Sequence, residues 1–247
     1  MSNVRGIVLG VLACFAFSLA ACGGEETPPA PRGGVLYFSQ DGNANGLFTV
    51  NQTTGLATPD GAGITGVVGA TVGLTEGPSG TLLGSTWSDI ERIQKDGSGV
   101  TVFAGSEAAE ALAWHSGNSL LYGCINTAFF SMNAATGVRI ATLAPAPADV
   151  EGLAAEASRN VIYGIGDSTN LYKYDVAAAT WSTVGDTGIN WNQGGLAFDA
   201  ESRVLFAVGN GGAGNLYRIN PDTAVATLVG PLGIAGVVNG GLAFVPN

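Results

Sequence analysis

The strongest constraint on this chain is a repeat of about forty residues. One apolar segment recurs at Leu47, Ile90, Phe129, Leu171 and Leu216, and these positions lie 43, 39, 42 and 45 residues apart. The unit around each consists of runs of three to six apolar, β-branched or aromatic residues separated by turn sequences, a pattern typical of strands. A period of this length predicts four short strands per unit, each unit packing against its neighbours.

Each unit contains four recognisable segments. The first is a Gly/Ala-Leu-Ala step, the second an apolar-aromatic-small run, the third alternates apolar with polar residues, and the fourth is rich in Thr and Val. The first segment occurs at residues 73–75, 111–113, 152–154, 195–197 and 241–243. Hairpin turns, such as residues 51–55 and 133–137, join the third segment to the fourth. No stretch of comparable length has the spacing of an amphipathic helix.

The order of segments predicts how the repeat closes. The first unit starts at Val35 with its second segment, and the chain ends with the missing first segment at residues 241–244. We therefore predict an all-β, five-bladed β-propeller over residues 35–247, closed by the C-terminal strand pairing into the first blade, which leaves no open sheet edge there. An open solenoid is disfavoured because both ends are repeat material and not polar caps.

The repeat also carries a family resemblance. The pattern Leu-Tyr-x-Ile-Asn-x-x-Thr-x-x-x-Thr-x-Val-Gly at residues 216–230 resembles bacterial extracytoplasmic propellers of the NHL, YVTN and quinoprotein-like group. The resemblance covers residues 35–247. Such repeats occur in enzymes, scaffolds and binding proteins alike, so it implies a fold and carries over no catalytic residue.

The N-terminus has the features of a secretory signal. Residues 6–19 are apolar apart from Ser18, and fourteen residues are too few for the roughly 20 that a membrane-spanning helix needs. The sequence Leu19-Ala20-Ala21-Cys22 resembles the lipobox of bacterial lipoproteins. This implies removal of residues 1–21 and lipidation of Cys22 with several acyl chains, including an amide-linked fatty acid such as palmitate. An ordinary signal peptide with a nearby Cys is the alternative.

The residues after Cys22 predict an address and a linker. Gly23, where some lipoproteins have Asp, resembles cargo sent to the outer membrane, so we expect a lipid-anchored protein of the bacterial cell envelope. Residues 22–34 are rich in Pro and Gly and have no apolar face, which is typical of a flexible tether.

Composition excludes several classes of function. Nine Lys and Arg against 19 Asp and Glu give a net charge of −10, so a nucleic-acid partner is not expected. The chain has no P-loop, no CxxC pair and no Gly-rich fingerprint after a strand, and we expect no cofactor. With Cys14 in the signal and Cys22 lipidated, Cys124 is left without a disulfide partner, and its apolar surroundings predict a buried structural thiol.

Candidate site residues concentrate on one face of the predicted ring. Polar side chains stand two or three residues before the Leu of the first segments and would converge at the channel mouth: Glu110, Glu151, Gln193 and Asn239. Trp191 and Trp87 are expected on the same face. Two interpretations stay open for each group. The polar residues are either a ligand site or an ordinary solvated rim, and the Trp rings either stack on a ligand or seal the joints between blades.

Two further motifs have simpler interpretations. His115 is the only histidine and falls in the turn 114–118 on the opposite face, where we expect it to be exposed and unable to join a catalytic triad or metal site. Residues 41–46 match the start of a calcium loop, from Asp41 to Asn45 and Gly46, but Thr49 and Gln52 replace its later ligands. A hairpin turn is favoured, and no metal site is predicted.

These features favour one function over another. A non-catalytic, membrane-anchored module that binds a small molecule, a glycan or a protein at the propeller face fits the low charge and the missing catalytic constellation. The alternative is an extracytoplasmic hydrolase or lyase acting on a glycan-type substrate, with Glu110 and Glu151 as its acid/base pair.

Overall fold

The computed structural model describes residues 33–40, 46–60, 71–209, 214–234 and 240–247. In these ranges the chain forms twenty strands and two short 3-10 turns, Pro78–Gly80 and Ala157–Arg159. No helix in the same ranges is long and apolar enough to cross a membrane. The strands are β1 (Gly34–Gln40), β2 (Gly46–Val50), β3 (Ala57–Pro59), β4 (Gly73–Glu76), β5 (Leu82–Ser85), β6 (Ile90–Ile93), β7 (Val100–Phe103), β8 (Ala111–His115), β9 (Leu120–Ile125), β10 (Ala128–Asn133), β11 (Arg139–Thr142), β12 (Val150–Glu156), β13 (Val161–Gly166), β14 (Asn170–Asp175), β15 (Thr180–Asp186), β16 (Gly195–Asp199), β17 (Val204–Gly209), β18 (Asn215–Ile219), β19 (Ala226–Pro231) and β20 (Leu242–Pro246).

The strands form five antiparallel, four-stranded sheets, which confirms the predicted five-bladed β-propeller. Blade 1 has the order β20-β1-β2-β3, and blades 2 to 5 are β4–β7, β8–β11, β12–β15 and β16–β19. The first strand in each order is the innermost one, and each innermost strand contacts the next around the ring, including β20 with β4. We call the face that carries the connections from one blade to the next the top face, and the face with the turns between first and second strands the bottom face.

The C-terminal strand closes the ring as predicted. β20 pairs with β1 in antiparallel register, with Leu242 opposite Phe38 and Phe244 opposite Leu36. The amide of Ser39 also donates to the carbonyl oxygen of Gly241 at 3.0 Å. Leu242 and Phe244 are buried, so closure adds apolar burial as well as backbone hydrogen bonds.

The Gly of the first segment is required by the close approach of the innermost strands. A Cβ atom placed on Gly241 would lie 2.6 Å from the carbonyl carbon of Gly73, and one on Gly73 would lie 2.7 Å from the carbonyl oxygen of Glu110. Gly152 and Gly195 meet the next strand around the ring in the same way. The repeated Gly therefore marks the places where neighbouring backbones leave no room for a side chain.

The apolar core lies between the blades. Five clusters of buried side chains in the described ranges each join two neighbouring blades; one of them unites Leu36 and Phe38 of blade 1 with Phe206 and Leu216 of blade 5. Strand alternation explains this arrangement, because successive side chains of a blade point to its two opposite neighbours.

A buried carboxylate fastens blades 4 and 5 near the bottom face. Glu156 is 1% exposed and accepts hydrogen bonds from Tyr163 Oη at 2.8 Å and from Arg203 Nε at 2.9 Å. Arg203 and Arg159 also pair with the exposed carboxylate of Asp222, and these partners lower the pKa of Asp222 to about 2. Because each charge has partners, this network satisfies its buried groups and fixes the turns of the two blades against each other.

Ring closure can be tested by adding one methyl group at Gly241, where the closing strand meets blade 2. Gly241→Ala should destabilise the protein by about 1–3 kcal/mol, the usual cost of overpacking, because the new Cβ meets backbone that cannot move without opening the ring. Gly99→Ala is the matched control, since a Cβ there meets no atom within 4 Å. Chemical denaturation measures both variants. If Gly241→Ala and Gly99→Ala have the same free energy of unfolding, close packing of β20 against β4 is contradicted.

Candidate functional site

The two predicted carboxylates occupy equivalent places at the top mouth of the channel. Glu110 directly precedes β8, and Glu151 lies near the start of β12. The register of β12 on β13 shifts between Val150 and Gly152, so Glu151 is the extra residue of a β-bulge. A bulge redirects the side chain of its extra residue and ends regular pairing. The charge of Glu110 adds to the raised pKa of Glu151, although burial and Asp149 contribute more.

Each of these carboxylates also holds a top-face loop. Glu110 Oε2 accepts a hydrogen bond from the amide of Asn126 at 3.0 Å, and Glu151 Oε2 accepts one from the amide of Gln193. Asn126 and Gln193 both have left-handed backbone, with φ of 52° and 62°. That conformation is common for Gly and Asn and unfavourable for a residue such as Gln193. The carboxylates therefore hold two left-handed loop residues, one in the blade of Glu110 and one in the connection to the blade after that of Glu151.

Burial shifts the proton affinity of both groups. Glu110 and Glu151 are each partly exposed. Desolvation is the largest cause of the raised pKa of Glu110, with Asp149 adding to it and the bond from Asn126 opposing it. For Glu151 burial, together with the charges of Asp149 and Glu110, outweighs the bond from Gln193 and raises the pKa to about 7. Glu151 therefore exists in both protonation states near neutral pH.

Asp149 and Asp167 also belong to this acidic mouth, although neither was predicted from the sequence. Asp149 raises the pKa of both glutamates, and its own pKa is raised by burial and by Asp167. Its Oδ1 atom is buried without a hydrogen-bond partner among the described residues. Asp167 accepts a hydrogen bond from Asn192 Nδ2 at 3.1 Å. Asp149 could have been found, since it stands in the same blade connection as Glu151.

The two tryptophans have different environments. Trp191 is fully buried, and its Nε1 donates to Thr187 Oγ1 at 2.8 Å while its ring meets Tyr217 edge-on at 5.4 Å. A stacking role for Trp191 is therefore wrong, and its other interpretation, packing in the joint between blades 4 and 5, is the correct one. Trp87 is 50% exposed between β5 and β6 on the top face.

The predicted site residue Gln193 takes part through its backbone amide, which donates a hydrogen bond to the Glu151 carboxylate. Asn239, Cys22 and the segment from Asp41 to Asn45 lie outside the described residues. Within the described ranges, no three His, Cys, Asp or Glu side chains are placed to hold a metal ion.

His115 is not the exposed turn residue that we expected. It is 1% exposed at the end of β8, where its Nδ1 accepts a hydrogen bond from the amide of Asn118 at 3.3 Å and its ring lies edge-on to Tyr122. The turn returns over the imidazole, and burial lowers the pKa of His115. Cys124 is the predicted buried thiol, and burial raises its pKa to about 12, which makes it unreactive.

The opposite mouth holds a cavity that was not predicted from the sequence. It opens on the bottom face, has a volume of about 170 Å³, and is walled in part by Trp114, Phe198 and Phe244 with Glu76 beside them. A second, smaller space of about 40 Å³ adjoins it along the innermost strands. The two mouths therefore differ: the top one is acidic and polar, and the bottom one combines three aromatic side chains with three carboxylates.

Comparison with known proteins supports the fold and gives no more specific family. No family model matches the chain, and no curated protein matches it. Among solved structures, a chain of the nidogen/laminin complex is similar over 81% of this chain and 79% of its own length, with 16% sequence identity and a TM-score of 0.56. At this identity the likeness shows a shared fold alone, one that is consistent with a ligand-binding or protein-interaction module.

The raised pKa of Glu151 predicts a pH-dependent stability. Because the folded state favours the protonated form, the stability linked to this group is complete below the unfolded pKa of about 4.3. It is lost as pH rises to about 7. Glu151→Gln stays neutral and still accepts the bond from Gln193. We expect the variant to match the wild type near about pH 4 and to exceed it by on the order of 1 kcal/mol near about pH 8, after allowance for solvent screening.

Denaturant unfolding across this pH range measures the difference. Glu201→Gln, which removes an exposed negative charge from the bottom face, is the control. A Glu151→Gln variant whose stability difference from the wild type does not change with pH would contradict the assignment.

Proposed function

We propose that this chain is a membrane-anchored, extracytoplasmic binding module whose ligand contacts the acidic top mouth of the propeller. The observation that supports this most directly is the grouping of Glu110, Asp149, Glu151 and Asp167 around one mouth. Only 11% of the residues in this chain are charged. Like charges gathered at a partly buried place disfavour one another, so the arrangement costs stability that a binding role would explain.

The chemistry of the mouth suits a ligand rich in hydrogen-bond donors. Carboxylate oxygens accept hydrogen bonds, and the half-protonated Glu151 can also donate one near neutral pH. Trp87, half exposed on the same face, offers a flat apolar surface. A glycan, a small polar molecule or a loop of another protein meets these requirements, and the acidic charge disfavours a nucleic acid.

The hydrolase or lyase alternative is less favoured. In a glycosidase one carboxyl group donates a proton and a second acts as base or nucleophile. Here each of the two glutamates already accepts a backbone amide and holds a left-handed loop residue.

The position of Gly33 relates the proposed anchor to the binding face. Gly33 lies beside Asn247 and at the rim of the bottom cavity. A tether over residues 22–32 would therefore join the propeller at its bottom face. Eleven residues span at most roughly 40 Å when fully extended. A lipid on Cys22 would thus keep the bottom face towards the membrane and leave the top face open to a ligand.

A ligand screen tests the top mouth. The full chain would be applied to a glycan array and to a library of small polar metabolites in a thermal-shift assay, where a ligand specific for the folded state raises the Tm. We expect the Glu110→Gln/Glu151→Gln double variant to lose at least about tenfold in affinity for a top-face ligand. The control is Glu76→Gln/Glu201→Gln, which removes two charges from the bottom face. A ligand that responds to the control alone would place binding elsewhere, and equal affinity in all three proteins would overturn the assignment.

Anchoring is tested at Cys22. Cys22→Ser should abolish incorporation of a labelled fatty acid and move the protein from the membrane fraction to the soluble fraction of the cell envelope or leave it as uncleaved precursor. The control is Cys124→Ser, which changes a thiol outside the lipobox. Labelling that persists in Cys22→Ser would contradict the lipoprotein assignment.

A further inference from the structure

The bottom cavity is built from one position of the repeat. The residues that directly follow the five first segments all line the cavity: Glu76, Trp114, Ala155, Phe198 and Phe244. Strand alternation places these side chains together at the bottom end of the innermost strands. Ala155 is the only small residue of the five, and the space it leaves helps to form the cavity.

Neighbouring groups hold the aromatic walls in place. The amide of Trp114 donates to Thr75 Oγ1 of the preceding blade at 3.1 Å. Phe198 lies 6.1 Å from the ring of Tyr163, and Phe244 stacks on Phe206 at 6.3 Å between centroids. The walls are therefore preorganised, so a ligand need not order them on binding.

The charged side chains that the described residues contribute to the cavity have one sign. Among those residues the lining includes Glu76, Asp199 and Glu201 and no Lys or Arg. Asp199 is already bonded to Ser202 and to the amide of Glu201. In the described part of the chain the carboxylate of Glu76 has no hydrogen bond, and burial raises its pKa although Lys95 opposes the shift. Glu76 is thus a partly desolvated carboxylate beside three aromatic side chains.

We propose that this cavity binds a small organic cation, with an ammonium group against the aromatic walls and near the Glu76 carboxylate. Aromatic faces attract cations through their quadrupole, most strongly where water is excluded, and a carboxylate adds a full opposite charge. A cavity of about 170 Å³ is of the size that takes up one benzene-sized molecule. A bare metal ion fits less well, since calcium requires six to eight oxygen ligands.

This site is independent of the proposed top-face function. It lies at the other end of the channel and shares no residue with the acidic mouth. Because Gly33 lines the cavity, the site also lies where the proposed tether joins the propeller. The ammonium group has two sources that share one chemistry: a free quaternary amine, or the headgroup of a phospholipid.

The test compares the affinity of the purified full chain for choline with its affinity for 3,3-dimethyl-1-butanol. In this uncharged isostere a carbon atom replaces the quaternary nitrogen of choline. Equilibrium dialysis with labelled choline gives the affinity, and competition gives that of the isostere. We expect saturable choline binding and at least about tenfold weaker binding of the isostere, because the two differ only in the charge that the aromatic and carboxylate groups recognise. Absence of saturable binding, or equal affinity for both compounds, would overturn the proposal.

Variants locate the site and separate it from the top mouth. Glu76→Gln and Trp114→Leu should each weaken choline binding about fivefold or more. Glu110→Gln, the matched loss of one charge at the top mouth, should leave it unchanged. The Tm of each variant shows whether it is folded. Choline affinity that falls with Glu110→Gln and not with Glu76→Gln would overturn the assignment, whereas failure of the top-face screen would leave it intact.

An experiment with lipid vesicles distinguishes a phospholipid headgroup from a free amine as the source of the cation. Phosphatidylcholine vesicles are added to the choline-loaded wild type and to Glu76→Gln. Displacement of choline from the wild type assigns the cavity to a lipid headgroup, and retention of choline assigns it to a soluble amine. Both outcomes keep the organic-cation site.

Discussion

The close packing of the five innermost strands is the constraint on which the rest of the structure depends. Where Gly241 passes Gly73, and Gly73 passes Glu110, the backbones approach so closely that a Cβ would overlap main-chain atoms. Such a narrow ring leaves little room between the backbones, and the Leu of each first segment is buried between two blades. Polar chemistry is thereby confined to the two mouths and the outer faces, where groups can reach water or a ligand.

Different features of the backbone give the two mouths of the channel different chemistry. At the top, the bulge at Glu151 and the blade connections bring carboxylates together and use them to hold left-handed residues. At the bottom, regular strand alternation delivers the residue that follows each first segment, and three of these five residues are aromatic. One mouth therefore suits hydrogen-bond donors, and the other suits an apolar group that carries positive charge.

Carboxylates in this weakly charged chain are used in two contrasting ways. Glu156 is buried with full pairing to Arg203, Arg159 and Tyr163, so its charge adds to the joint between two blades. Glu151 is partly buried beside other carboxylates, and its pKa rises to about 7. A buried charge beside opposite charges serves the fold, whereas one crowded by like charges opposes folding and indicates a site.

The sequence by itself determined the period, the number of blades and the closing strand, because each strand and turn follows from local residue types and a Gly-Leu or Ala-Leu step recurs in every innermost strand. It also placed Glu110 and Glu151 at one mouth, since equivalent repeat positions share a face. Only the tertiary structure decided that Trp191 fills an interblade joint and that His115 is covered by its own turn. The bottom cavity likewise needed the closed ring, because Glu76, Trp114 and Phe244 come from three different blades, and the space between them depends on how those blades pack.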